Sequence, residues 1–440
     1  MKAILIMNYR NLIRSRFFAP MFWTQFLGAF NDNIYKNALI ILISYQSILY
    51  SQVSPAILIP LSAGLFILPF FLFSSIAGQL ADKYEKSQLI RLIKVLEIAI
   101  MLLTIIGFYF NNIFFLIAVL FFMGCQSSLF GPVKYSILPQ HLNENGLIKA
   151  NALFGMGTFI AILTGTILGG ILVSLDTDET FYISFVVIFV AILGRLSSQY
   201  IPPAKSANKN LIINWNIFTE TINILSRVKQ HKLLLGTVLA ISWFWFLGAT
   251  VLTILPGYSK NVLYGEELVV TLLLAVFTIG VGVGTLVVGQ TGDLKNSLKW
   301  VVIGTIGISL FSAHLYWNSL HLEHINHLSQ IAIPYSWQSL FENSRTLWIL
   351  FDMMAMGISA GLYIVPLYVV LQEFSEIKTR SRIIAANNIT NAFFMVCSAI
   401  ILILLNNQPI ETIFILLSVS NCFVVSLYFY FFSSEVKKII

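Results

Sequence analysis

From Ile57 to Ala77, and again from Ile98 to Phe110, the chain runs nearly unbroken in Leu, Ile, Phe and Val, and similar runs recur to its end. Backbone placed in hydrocarbon must satisfy its own hydrogen bonds, which only helices and closed barrels do. Barrel strands alternate apolar and polar residues over about ten positions, and these runs do not alternate. A polytopic helical membrane protein is therefore expected. The chain has 440 residues, 58% hydrophobic and 10% charged, where soluble domains carry about 25% charged residues. That is room for about twelve spans of about 20 residues each.

The runs place spans near 17–50, 55–81, 88–110, 113–140, 146–174 and 180–201, and a second six near 233–260, 266–292, 296–317, 345–373, 378–405 and 410–433. The polar stretch between them sets the expected domains: an N-terminal six-helix bundle at 1–201, a cytoplasmic linker at 202–232 and a C-terminal six-helix bundle at 233–440. With both termini inside, nearly all of the 26 Lys and Arg fall on the cytoplasmic side, among them Lys83, Lys86, Arg91, Lys94 and Lys134. Only Lys260 and Arg345 fall outside, Lys36 falls within the first span, and the outer loops carry acids such as Asp176, Asp178 and Glu266. This bias supports an N-in, C-in orientation. The net charge of +7 is thus a signal of topology, and no nucleic-acid partner is expected. Cys125, Cys397 and Cys422 lie in apolar runs without metal-ligand spacing, so neither disulfide nor zinc site is expected. The apolar stretch from Phe17 is too long for a signal peptide and reads as the first span.

The halves repeat. Trp23 to Ala29 matches Trp243 to Ala249, and Gly78-Gln-Leu-Ala-Asp82 matches Gly289-Gln-Thr-Gly-Asp293. Gly124, Leu129 and Tyr135 match Gly357, Leu362 and Tyr368, and Ala150-Asn151 matches Ala386-Asn387. Four matches in one order indicate related bundles, a plan common in alternating-access transporters.

Several polar positions stand out from this background. Gly78, Asp82 and Lys83 close the second span; the glycine lets helices approach, and the aspartate can cap a helix or meet a cation. Recurrence of the pattern at Gly289 to Asp293 favours a gating role over a solvated turn, with Asp293 the second gate residue. Asn31-Asp32-Asn33, with Lys36 one turn on, is the richest polar cluster within a span. At about 1.5 Å per residue, Asp32 lies about 22 Å beyond Phe17, and the Asp32 to Lys36 spacing allows an ion pair on a face shared with Gln25 and Gly28. Ionisable groups at membrane depth are functional candidates, although a structural ion pair is the plainer reading. Phe130 to Pro139 reads as a proline-loosened helix end, where Lys134 either meets a phosphate or snorkels to the surface. Glycines four apart, as at Gly165 and Gly169, Gly280 and Gly284, and Gly357 and Gly361, indicate close packing. His321, His324 and His327 could gather a metal, but an interfacial polar patch beside Trp317 and Trp337 is the simpler reading. No acyltransferase motif or credible Ser/His/Asp set is present, so neither enzymatic activity nor a cofactor is expected.

Phe26 to Asn33 with Lys36, Phe130-Gly131-Pro132-x-Lys134-Tyr135-x-Ile137-Leu138-Pro139, and Ala150-Asn151-Ala152 with Thr158 and Gly165-Thr166-x-x-Gly169-Gly170 resemble the lysophospholipid transporter family. The Gly78 to Lys83 signature likewise resembles that of the major facilitator superfamily at large, of which the family is a branch, although Glu85 stands where glycine is frequent. The resemblance implies the major facilitator fold, twelve transmembrane helices in two pseudo-symmetric bundles in a bacterial inner membrane. It also implies movement of lysophospholipids such as lysophosphatidylethanolamine from outer to inner leaflet for reacylation. By motif position, Asp32 would bear on the headgroup amine and Lys134 on the phosphate, with Asn31, Asn33, Lys36 and Gln25 around them. The chain departs from the family in lacking a basic residue between Lys232 and Lys260. Any reacylating acyltransferase or acyl-carrier-protein synthetase is expected to be a separate chain, and the transporter a monomer. Two other readings stay open: a proton-coupled exporter of drugs or small amphiphiles using Asp32, and a non-transporting scaffold for lipid-remodelling enzymes.

Overall fold

A computed structural model of the chain describes residues 8–50, 53, 55–174, 182–291, 293–328, 336–341, 344–405 and 407–437. It is helical throughout its long elements. In order these are α1 (Tyr9–Arg14), α2 (Ala19–Tyr50), α3 (Pro55–Lys83), α4 (Lys86–Tyr109), α5 (Ile113–His141), α6 (Glu144–Ser174) and α7 (Tyr182–Gln199). Then follow α8 (Ile217–Gln230), α9 (Lys232–Asn261), α10 (Glu267–Gly289), α11 (Leu294–Leu328), α12 (Ser344–Glu373), α13 (Arg380–Leu404) and α14 (Thr412–Lys437). Among the described residues, nine of these helices are long and apolar enough to cross a membrane. The helices α2, α4 and α14 match the remaining expected spans in position, so a twelve-helix arrangement is consistent with the fold.

Short polar side chains start several helices. Asn112 accepts from Phe115 N at 3.0 Å at the head of α5, and Asn216 accepts from Thr219 N at 3.1 Å at the head of α8, each meeting an amide that the helix leaves orphaned. Prolines do not end these helices. Pro60 and Pro69 lie inside α3, Pro132 and Pro139 inside α5, Pro256 inside α9 and Pro366 inside α12, as packed transmembrane helices tolerate. The loosened helix end expected at Phe130 to Pro139 is therefore absent. The helix α5 continues to His141, and Lys134 is a half-buried mid-helix residue, so it does not snorkel from a frayed end. The linker also differs from a plain polar stretch, because it contains the amphipathic helix α8.

Contacts divide the chain into two compact units. One comprises Met1–Ala150, Ala161–Leu234 and Leu371–Ala392, and the other Asn151–Ile160, Leu235–Val370 and Phe393–Ile440. In the first, α3 packs on α5, α2 on α7 and α5, and α4 on α5 and α7. Its apolar core gathers Ile34, Leu39, Leu42, Met101, Leu116, Leu120 and Val187. In the second, α11 packs on α14. There Asn421 accepts from Trp243 Nε1 at 2.8 Å and donates to Thr305 O at 3.1 Å and Ser309 Oγ at 2.9 Å.

The paired glycines mark close approaches, as their spacing predicts. Gly165 and Gly169 in α6 lie so near α2 that an added methyl would fall 2.7 Å from Phe30 O and 2.6 Å from Ile34 O. In the second unit, α10 and α12 meet glycine on glycine: methyls on Gly280 and Gly284 would overlap Met354 O and Ile358 O, and a methyl on Gly357 would overlap Phe277 O. Overpacking a seam of this kind costs about 1–3 kcal/mol or more. Gly284→Leu is expected to lower the thermal midpoint of the purified protein by several degrees. Val283→Leu, one position away on the exposed side of α10, serves as the neutral comparison.

Candidate functional site

Helices α2, α4 and α5 bring polar side chains together inside the first unit. Lys94 and Glu97, one turn apart on α4, form an ion pair at 2.5 Å with side chains 0% and 2% exposed. Glu97 also accepts from Asn31 Nδ2 on α2 at 3.2 Å and from Gln126 Nε2 on α5 at 3.2 Å. Lys94 lies 5.0 Å from the centre of the Phe130 ring. Gly28 makes room for it, since a methyl there would fall 2.5 Å from Lys94 Nζ. A charge in such surroundings needs every available partner, because desolvation costs several kcal/mol per ion. Neither member is legible in the sequence as part of a site: Lys94 reads as a cytoplasmic cation in the charge pattern and is in fact buried, and Glu97 belongs to no motif. A signal is nevertheless present, since both lie within an apolar helix where an ionisable group is a candidate by default.

Asp32 borders this network. Ser127 Oγ donates to its Oδ2 at 2.7 Å, and lies 3.2 Å from Gln126 Oε1. The ion pair expected between Asp32 and Lys36 does not form among the described residues. Lys36 instead donates to Asn33 Oδ1 at 3.1 Å and lies 5.9 Å from the Phe66 ring centre. Asn33 in turn donates to Ala29 O at 2.7 Å. The i to i+4 rule finds neighbours on a helix surface, but here a serine of α5 takes the carboxylate and a nearer amide takes the ammonium. Gln25 is buried two turns before Asp32 on the same helix. Lys134 Nζ lies 5.9 Å from the centre of the Phe130 ring and 5.0 Å from that of Tyr135, so one aromatic ring, Phe130, stands beside two lysines.

A second polar constellation closes the end of α3. Asp82, 0% exposed, accepts from Ser381 N at 3.1 Å and from Arg382 Nε at 3.1 Å. One carboxylate thus caps the start of α13 and pairs with a cation on it. Gly78, one turn earlier, permits the contact, since a methyl there would fall 2.8 Å from Ala385 Cβ and 2.9 Å from Arg382 Cα. Lys83 stands apart from this pair, half-buried with its ammonium 5.8 Å from the Tyr84 ring centre. Glu85 caps α4 through Ser87 N and Gln88 N, at 3.0 and 2.8 Å, and accepts from Ala204 N at 2.5 Å. Burial works against its charge, but these amide donors win and hold the carboxyl below the usual range. A carboxylate at this turn is thus held by three backbone amides. Asp293, the repeat's counterpart of Asp82, is exposed and caps its own helix through Asn296 N at 2.7 Å.

The second unit holds a polar pairing across two helices that no sequence motif marks. On α11 and α12, His314 Nδ1 lies 2.7 Å from Asp352 Oδ1, and Asn318 Nδ2 donates to Asp352 Oδ2 at 2.9 Å. Asp352 is fully buried while the His314 side chain is 42% exposed. Of the outer-loop histidines, His321 Nδ1 lies 2.8 Å from Trp317 O; the side chains of His324 and His327 lie outside the described residues.

Comparison with known proteins gives this geometry a family. The Major Facilitator Superfamily pattern matches residues 21–322. The chain belongs to the major facilitator superfamily. It is therefore a multi-pass transporter, of a family that is typically not enzymatic. It is 27% identical over 368 residues to "Lysophospholipid transporter LplT" of Serratia proteamaculans, covering 82% of this chain and 80% of that protein. It is 24% identical over 365 residues to the protein of that name from Yersinia enterocolitica, covering 82% and 79%. Among solved structures, the human organic anion transporter MFSD10 (TETRAN) superposes with a TM-score of 0.73 at 11% identity, over 94% of this chain and 98% of that one. A bacterial homologue of the iron transporter ferroportin gives 0.68 at 13% identity, over 94% and 99%. These two show the fold alone.

Removing one partner of a buried ion pair strands the other, at a cost of about 3–5 kcal/mol. Arg382→Ala is expected to lower the unfolding midpoint of the purified protein strongly. Adding Asp82→Asn should recover part of the loss, because the stranded charge disappears; equal midpoints for the single and double variants would show that the pair does not act as a unit.

Proposed function

We propose that this superfamily member is an alternating-access transporter that moves lysophospholipids, such as lysophosphatidylethanolamine, from the outer to the inner leaflet of a bacterial inner membrane for reacylation. The observation that carries the reading is an acid and a base on packed helices. Asp32 on α2 and Lys134 on α5 stand on helices that pack on one another, and among the described residues no carboxylate pairs with Lys134. A zwitterionic headgroup presents the complementary charges, its amine to Asp32 and its phosphate to Lys134. The likeness to lysophospholipid transporters over 82% of the chain supports the same substrate class.

In this reading the chain lies N-in and C-in with six helices on each side of the linker. The Asp82 contact with Ser381 and Arg382 is a latch that opens during transport, with Gly78 setting the helix approach and Asp293 marking the second copy of the motif. Asn31, Asn33, Lys36 and Gln25 hold the headgroup site in shape.

Fluorescent lysophosphatidylethanolamine should move inward faster in proteoliposomes containing the protein than in empty vesicles. A charge-assisted hydrogen bond is worth about 1.5–3 kcal/mol, so Asp32→Asn and Lys134→Ala should each slow this movement about tenfold or more, without need of a pH gradient. Absence of lysolipid movement, with a pH gradient driving some other amphiphile, would instead assign the protein to proton-coupled export.

A further inference from the structure

The helix α8 leaves one flank uncovered. Its Glu220, Ile224 and Val228 are buried where it packs on α3. Phe218, Ile222 and Leu225 are 76%, 64% and 37% exposed, and just ahead of the helix Ile212 and Trp215 are 88% and 67% exposed. At about 100° per residue, the three helical positions fall within about 60° of one another. Thr219, Asn223 and Ser226 occupy a second exposed flank, about 100° round the helix from the first. The helix therefore has three faces: one packed, one apolar and open, one polar.

Covalent connectivity places this helix at the membrane. Only His231 separates α8 from α9, which begins at Lys232 and is long and apolar enough to cross a bilayer. The C-terminal end of α8 is thereby held at the membrane surface. Charge gives the chemistry of that surface. Lys205, Lys209, Arg227, Lys229 and Lys232 are exposed, and the one acid between Pro202 and Lys232, Glu220, is 7% exposed. An apolar stripe led by a tryptophan and flanked by cations matches a bilayer interface rich in anionic lipid.

We infer that α8 lies in the plane of the membrane, with Trp215, Phe218, Ile222 and Leu225 among the acyl chains and the linker cations on anionic lipid headgroups. The attachment reaches the end of α3. Gln79 and Asn214 exchange hydrogen bonds, Nε2 to O at 3.0 Å and N to Oε1 at 2.8 Å, and Asn208 N donates to Asp82 O at 2.8 Å. Lys86 N donates to Ala204 O at 3.0 Å. The strap from Ala204 to Asn214 thus ties a lipid-bound helix to the residue that meets Arg382.

The test uses the full chain in nanodiscs, with Cys125, Cys397 and Cys422 changed to Ser and one environment-sensitive label at Ile222→Cys or Asn223→Cys. Thermal unfolding checks that each variant is folded. Lipids with brominated chains should remove most emission from the label at 222 and little from that at 223, while aqueous iodide does the reverse. Phosphatidylglycerol should increase quenching by brominated lipid at 222 relative to phosphatidylcholine alone, and changing Arg227, Lys229 and Lys232 to Gln should abolish the increase. Equal lipid quenching at 222 and 223, no response to phosphatidylglycerol, or a label at 222 shielded from both lipid and iodide would overturn the inference; the last outcome would point to a protein covering the stripe.

Discussion

An ammonium and a carboxylate withdrawn from water must find in the protein everything that water supplied. Lys94 and Glu97 do this across three helices. The ion pair itself lies on α4, but Glu97 remains soluble in the core only because Asn31 comes from α2 and Gln126 from α5. Lys94 fits only because Gly28 offers no side chain and Phe130 offers a ring face. A buried pair of this kind seldom stabilises a protein more than apolar residues of the same volume would. Stability alone therefore does not account for four polar side chains at this depth. What the network does supply is a fixed arrangement of α2, α4 and α5, and it is on these helices that Asp32, Ser127 and Lys134 stand.

The same network bears on Asp32, which forms no ion pair among the described residues. Its hydrogen bond comes from a serine hydroxyl, a partner that neutralises no charge. The lysines nearest in sequence and in space are otherwise engaged: Lys36 with Asn33 and Phe66, Lys94 with Glu97. Both of these cations are satisfied by partners other than Asp32, so neither forms an ion pair with the carboxylate. Under the proposed function, a headgroup amine would meet Asp32 without first breaking an ion pair, which in a low-dielectric interior would be the expensive step.

Apolar periodicity made the helices readable, because a bilayer demands long uninterrupted runs and polar breaks between them. The candidate residues were readable for the complementary reason: a charge within such a run is conspicuous, as Asp32 and Lys36 are. Their partners were not. Helical spacing brings residues four apart to one face, but the hydroxyl that meets Asp32 comes from Ser127, on another helix, and no local rule reaches it. Lys94 is misplaced by the charge pattern because it follows Lys86 and Arg91 and so blends into a basic helix start, although Ile90, Ile93, Ile100 and Met101 bury the same face. Asp352 and His314 are conspicuous by the rule that picked out Asp32, and only their pairing required the fold. The amphipathic face of α8 was equally present at Phe218, Ile222 and Leu225, and the polar composition of the linker hid it.

The repeated motif stands in two different surroundings. Asp82 is fully buried against the first turn of α13, whereas Asp293 is exposed and caps the helix that follows it. Arg382 stands four residues before Ala386, and the residue four before the matching Ala150 is Gly146. Asp82 meets that arginine, whereas Asp293 forms no ion pair among the described residues. Asp82 gains an ion pair and a helix amide in place of water, and separating it from α13 requires both to be given up together. Asp293 is exposed and keeps its local cap, so no comparable cost attaches to it. The two copies of one sequence motif thus differ in what holds their aspartates: an ion pair and a helix amide of α13 for Asp82, a local helix cap for Asp293.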